Sequence, residues 1–245
     1  MGLLRPGRAT ALALALALPL AVAPFPSRSQ APAGVAESVD RYLSARTELG
    51  RFSGAVLVAK GDRVLFRKGY GYADVARRAP FTPETRQAVA SITKMFTSMA
   101  ALKLRDAGKL RLDESVCARL SGCPDAWKPV TVRHLMRHTS GIPDYEDPLD
   151  LGSEKYLAVM MREGTSRRLV EDAKKEPLDF PPGTRFRYSN TGYLVLAEVV
   201  ESAAGVPFND FVTKTLLRPA GMVRAGLFDG TSVPEGLARR RSRTF

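Results

Sequence analysis

A chain of 245 residues with 44% hydrophobic side chains has room for one substantial globular domain or two small ones. Its formal net charge of +12 is unevenly placed, because Arg5, Arg8 and Arg28 precede residue 34 and Arg239, Arg240, Arg241 and Arg243 follow residue 235, with no acid in either segment; removing those seven charges leaves +5 for the body. A broad phosphate-binding face is therefore not implied, and nucleic acid is not an expected partner.

The chain opens with Arg5 and Arg8 followed by the apolar run "ALALALALPLAVA" from Ala11 to Ala23. That order is the pattern of an export signal, and the run is too short for a comfortable membrane span. Ala23, Ala31 and Ala33 each offer a cleavage site, and the proline after each of the first two favours "APA", ending at Ala33, which sets a signal peptide over 1–33 and a mature domain over 34–245. No later segment has spanning length, so the mature protein is expected in the periplasm or outside the cell, without an integral membrane segment. Oligomeric state is not legible.

From Val35 to Leu49, Val35, Val39, Tyr42 and Leu43 are spaced for one face of an opening helix. Two β-rich runs follow, Ala55 to Ala59 and Arg63 to Lys68, separated by "KGD", and predict a hairpin. The next helix carries Ile92, Met95, Phe96, Met99 and Ala100 at offsets of one face, predicted to be the buried face, with Gly108 as its stop. "TVRHLMRHTSGI" predicts a short helix with Thr131 as N-cap. "EKYLAVMMREG" is a further helical patch, and "FPPGTRFRYSN" a turn-rich lead into the helix "TGYLVLAEVVESAAG". On that helix Tyr193, Leu196, Val199 and Val200 share a face. "PFNDFVTKTLLRPAGM" predicts one more helix, and there is no internal repeat.

The chemistry lies in Ser91 and Lys94, one turn apart at the start of a helix. A serine hydroxyl is a poor nucleophile unless a neighbour takes its proton, and a lysine desolvated by an apolar helix can do so. The helix N-terminus adds N–H donors that favour negative charge developing on a substrate. Alone, S-x-x-K is far more often the mark of a serine cap followed by a surface lysine.

Context decides. "SITKMFTSMAALKLRDAGKLRLDESV", "VTVRHLMRHTSGIPDY" and "PGTRFRYSNTGYLVLAEVVESAAGVPF" together resemble the serine β-lactamase-like family of class C β-lactamases, D-alanyl-D-alanine carboxypeptidases and related esterases. The resemblance runs from about Phe52 to about Leu237. It implies an α+β fold of the β-lactamase/transpeptidase type, an antiparallel sheet flanked by helices with an adjoining mostly helical region. It also implies that Tyr188 and Asn190 form the second motif, Y-x-N, with Tyr188 as proton carrier beside Lys94 and Asn190 as a substrate-binding residue. The implied reaction is acyl transfer to Ser91 from an amide or ester (a peptidoglycan peptide, a β-lactam or a small ester), with no metal or cofactor. A non-catalytic binding protein or inactive fragment of the same fold is the alternative. The family's third motif, K-T-G or H-x-G, has no match after Asn190, so the chain is expected to be truncated, with the C-terminal strands missing.

Cys117, Cys123, His134 and His138 give C-x5-C-x10-H-x3-H, whose first two intervals miss those of a zinc finger. An even cysteine count behind an export signal predicts instead a local Cys117–Cys123 disulfide. Tyr70, Tyr72 and Trp127 are expected as packing or cleft-wall residues.

Overall fold

A computed structural model describes residues 34–146, 165–227 and 236–238. The expected signal peptide and the helical patch at "EKYLAVMMREG" lie outside the described residues. The fold is α+β, with a small hairpin layer beside a helical layer.

Helix α1 (Val35–Glu48) leads into the hairpin of β1 (Gly54–Lys60) and β2 (Arg63–Tyr70). The two strands pair antiparallel, Gly54 opposite Tyr70 and Lys60 opposite Arg63, with an irregularity between Val58 and Ala59. Gly61 at φ +56° makes the turn that the sequence predicts. A second antiparallel pair, β3 (Tyr72–Asp74) with β4 (Ala79–Pro80), follows at once. Polar contacts tie α1 to the hairpin: the Tyr70 hydroxyl donates to Asp40 at 2.8 Å, and Lys68 Nζ lies 2.6 Å from the same carboxylate oxygen.

The helical layer holds the main core. It comprises α2 (Thr93–Asp106), α3 (Val132–Met136), α4 (Thr165–Ala173), α5 (Asn190–Ala204) and α6 (Phe208–Val212), the last continuing through a wider π-type turn over Thr213–Leu217. Ala100, Ala101 and Leu104 of α2, Leu135 of α3 and Val195, Leu196, Val199 and Val200 of α5 are buried together, with Trp127 fully enclosed beside them. Removing a leucine or valine side chain from water in such a core stabilises by about 1.5–3 kcal/mol. Thr131 caps α3, its Oγ1 accepting the His134 N–H, while His134 Nδ1 accepts the Thr131 N–H in return. Gly205 closes α5 in the left-handed conformation at φ +71°.

One expectation is corrected. Of the expected face, Ala100 is buried and Phe96 packs half-buried against the core, but Ile92, Met95 and Met99 are 56, 62 and 45% exposed, and the buried face is Thr97, Ala100, Ala101 and Leu104. Both faces are apolar, and α5 packs on the one whose alanines permit close approach. Tyr42, assigned to the apolar face of α1, is likewise exposed, and no residue of α1 is fully buried. Tyr70 and Trp127 are packing residues as expected, while Tyr72 is exposed. Cys117 and Cys123 form the expected disulfide, which leaves neither as a zinc ligand.

Candidate active site

Two helix starts meet to build the site. Ser91 lies in a single 3-10 turn, Ala90–Ile92, that runs directly into α2, so Lys94 falls in the first turn of α2. Ala90 is held at φ +45°, an uncommon conformation for a residue with a Cβ, and this bend presents Ser91 to solvent at the helix head. Tyr188 precedes α5 by two residues, and Asn190 is the first residue of that helix. Ser189 between them caps α5, its Oγ accepting the Gly192 N–H at 2.9 Å.

All four residues singled out from the sequence come together. Ser91 Oγ and the Tyr188 hydroxyl are 2.8 Å apart. Lys94 Nζ donates to Ser91 Oγ at 3.2 Å and to Asn190 Oδ1 at 2.7 Å. The ammonium also lies 4.8 Å from the centre of the Tyr188 ring and 5.7 Å from that of Tyr193, so two aromatic faces flank it. Because Lys94 donates to Ser91 Oγ, the serine's own O–H is free to point at the tyrosine oxygen. The cluster thus links hydroxyl, phenol and amine in one proton-transfer unit.

The loop after α3 supplies what the sequence reading passed over. His138 stacks on Tyr188 with ring centres 4.4 Å apart, and its Nδ1 accepts the Ser189 N–H at 3.1 Å. Nδ1 therefore carries no proton. Burial, and next the Lys94 charge, hold this imidazole below its ordinary pKa, partly opposed by Asp144. Asp144, only 8% exposed, accepts both the Asn190 N–H, at 2.7 Å, and Asn190 Nδ2, at 3.2 Å, on one oxygen. Tyr193 packs against the other side of His138, and its hydroxyl donates to the Met136 carbonyl. The signal for these residues was the polar "HTSGIPD" run inside an otherwise structural loop, but nothing in the sequence joined it to residues 188–193.

That loop sits close against the turn before α5. Gly141 has φ +78°, and a Cβ there would stand 2.2 Å from the Phe180 carbonyl oxygen. Only glycine fits both demands. A cavity of about 420 Å³ is lined by Lys94 and Asn190 together with Thr97, Leu194, Glu198 and Phe208. Lys94 of the proton-transfer unit thus lies in its wall, while Ser91 and Tyr188 do not.

Among the described residues, no cluster of histidine, cysteine or carboxylate side chains could hold a metal ion, and no helix is long and apolar enough to cross a membrane.

Comparison with known proteins bears on the family and the fold. A family model described as Beta-lactamase matches residues 39–245. Penicillin-binding protein 4* of Bacillus subtilis is 32% identical over 190 residues, which are 77% of this chain and 41% of that protein. The chain thus spans less than half the length of this curated relative. Among solved structures, a penicillin-binding protein from Bacillus halodurans superposes with a TM-score of 0.70 at 34% identity, covering 80% of this chain and 60% of that one. EstCE1, described as a hydrolase with promiscuous acyltransferase activity, gives a TM-score of 0.64 at 27% identity, covering 76% and 51%. The β-lactamase/transpeptidase fold implied by the sequence motifs is the fold these neighbours share.

Proposed function

This chain belongs to the Beta-lactamase family, and from that premise we propose that it is a serine hydrolase that opens an amide or ester through an acyl-enzyme on Ser91. The observation that carries the reading is the convergence of Lys94 and Tyr188 on Ser91 Oγ, at 3.2 and 2.8 Å. In the first step Tyr188, as a phenolate held beside the Lys94 ammonium, takes the Ser91 proton as Oγ bonds to the substrate carbonyl carbon. The bond to the leaving amine or alcohol then breaks, and that group takes the proton from Tyr188. Water next attacks the acyl carbon and gives a proton to Tyr188; the bond to Ser91 Oγ breaks, Oγ takes that proton back, and the carboxylic acid leaves. Asn190 offers the second lone pair of Oδ1 to a substrate N–H while anchoring Lys94 with the first.

The substrate class is an amide or ester of the kinds the relatives' names indicate: a penicillin-type lactam, a peptidoglycan-type peptide or a small ester. Residues 1–33 act as an export signal in this reading, and the Cys117–Cys123 disulfide supports an oxidising compartment. No cofactor is called for.

Turnover of a chromogenic ester and a chromogenic β-lactam tests the proposal, comparing the unsubstituted chain with Ser91→Ala, Lys94→Ala and Tyr188→Phe. Hydrolysis lost in the first and reduced by about 100-fold or more in the other two is expected, because the three act as one unit. Hydrolysis undiminished in Ser91→Ala overturns the assignment. Substrate retention without turnover in the unsubstituted chain points instead to a binding protein of the same fold.

A further inference from the structure

An asparagine amide presents an acceptor at one end and a donor at the other, in nearly the same shape, and its partners decide which end points where. At Asn190 the two neighbours leave no choice. The Lys94 ammonium can only donate, so it faces Oδ1, at 2.7 Å. The Asp144 carboxylate can only accept, so it faces Nδ2, at 3.2 Å. The same Asp144 oxygen also takes the Asn190 backbone N–H at 2.7 Å, and the other takes the Glu146 N–H at 3.1 Å.

This buried carboxylate is satisfied by N–H donors of two chain segments at the head of the 15-residue helix α5, where negative charge is favoured. It reaches Lys94 only through the asparagine. We propose that Asp144 is a positioning residue: it fixes the polarity of the Asn190 amide and, through that amide, the place at which Lys94 Nζ stands beside Ser91 Oγ. The proposal rests on the Ser91 acyl-enzyme reading. Without the carboxylate, the amide is free to turn its donor end toward Lys94, where two donors oppose each other and the ammonium moves away from Ser91.

The test uses Asp144→Ala, which removes the oxygen that accepts both the Asn190 N–H and Asn190 Nδ2, beside Asp144→Asn, whose amide keeps one oxygen for those two donors. Two readouts are taken, the solvent exchange of the Asn190 side-chain amide protons by NMR, assigned with Asn190→Ala, and the rate of acylation by an activated ester. In Asp144→Ala the amide protons lose their protection, and the acylation rate falls by about 10- to 100-fold, the scale of a displacement near 1 Å at a catalytic group. Asp144→Asn, turned with its oxygen toward Asn190, recovers most of the protection and most of the rate. If Asp144→Ala does not fold, Asp144→Leu, which fills more of the space without an acceptor, replaces it in both measurements. Unchanged amide protection or an unchanged acylation rate in Asp144→Ala, or an Asp144→Asn no better than Asp144→Ala in either readout, overturns the proposal. If the unsubstituted chain forms no acyl-enzyme, the Ser91 reading fails while the amide exchange still decides the role of Asp144.

Discussion

Leu196 in α5 is fully buried, whereas Leu57 in β1 is 58% exposed. The two leucines mark the contrast between the helical layer and the hairpin. In the helical layer small residues on α2 let α5 approach closely, and valines and leucines interlock around Trp127. The hairpin makes its links largely through polar side chains: Lys68 with Asp40, Arg67 with Glu84, Tyr70 with Asp40. Solvent-screened pairs of this kind contribute little to stability. All four candidate site residues belong to the helical side, at the heads of α2 and α5. The geometry around Ser91 is therefore held by the better-packed half of the molecule.

The contrast breaks most visibly under paired truncations. Leu196→Ala removes a fully buried side chain and is expected to cost about 2–5 kcal/mol, while Leu57→Ala is expected to stay within about 0.5 kcal/mol. Urea unfolding of the two variants measures both, and similar costs would erase the distinction between layers. Gly141→Ala comes next. Its Cβ would stand 2.2 Å from the Phe180 carbonyl oxygen at a residue with φ +78°, so a loss of about 2–3 kcal/mol is expected in the same assay. A neutral result would show that the loop under the site yields easily.

The Cys117–Cys123 bridge closes a short loop whose sulfurs pack against the helical core. Replacing both cysteines by serine is expected to lower stability by about 2 kcal/mol on the chain-entropy account. Reduction by dithiothreitol, followed by calorimetry, should reproduce that loss, and an unchanged melting temperature would argue against it.

Much of this was legible beforehand, for identifiable reasons. Ser91 and Lys94 stand one helical turn apart, so the sequence alone brings that pair together, while Tyr188 and Asn190 were legible through the family resemblance of the motif around them. Thr131 and Gly108 mark helix ends through local hydrogen bonding and backbone freedom, which are properties of a few neighbouring residues. The buried face of α2 was legible only in part, at Ala100 and Phe96, because Ile92, Met95 and Met99 are as apolar as Ala101 and Leu104, and only the position of α5 chooses between them. Asp144 and His138 were missed for a related reason. Their partners lie 46 and 51 residues away, and no local period records such a contact.

The smallest expected effect concerns pH. Burial, with the Lys94 charge second, keeps the folded pKa of His138 below its unfolded value of 6.5. As pH falls the unfolded chain therefore binds its proton first. The stabilising neutral form contributes fully above about pH 6.5, and its contribution is lost as pH falls through the folded value. His134, also depressed mainly by burial, acts in the same sense. His138→Asn is expected to flatten, without abolishing, the fall in melting temperature between pH 6.5 and pH 5, because His134 remains. An unaltered slope would mean that His138 is not the buried neutral acceptor of the Ser189 N–H.

The central claim is that Ser91 is the residue that becomes acylated, and mapping a covalent adduct tests it most directly. The chain is mixed with an activated ester or a penicillin, quenched in acid, digested, and examined by mass spectrometry. The account expects one acyl adduct on the peptide containing Ser91, at the fragment ions of that residue, and none in Ser91→Ala. An adduct of the same yield in Ser91→Ala, or one that maps to another residue, would contradict it.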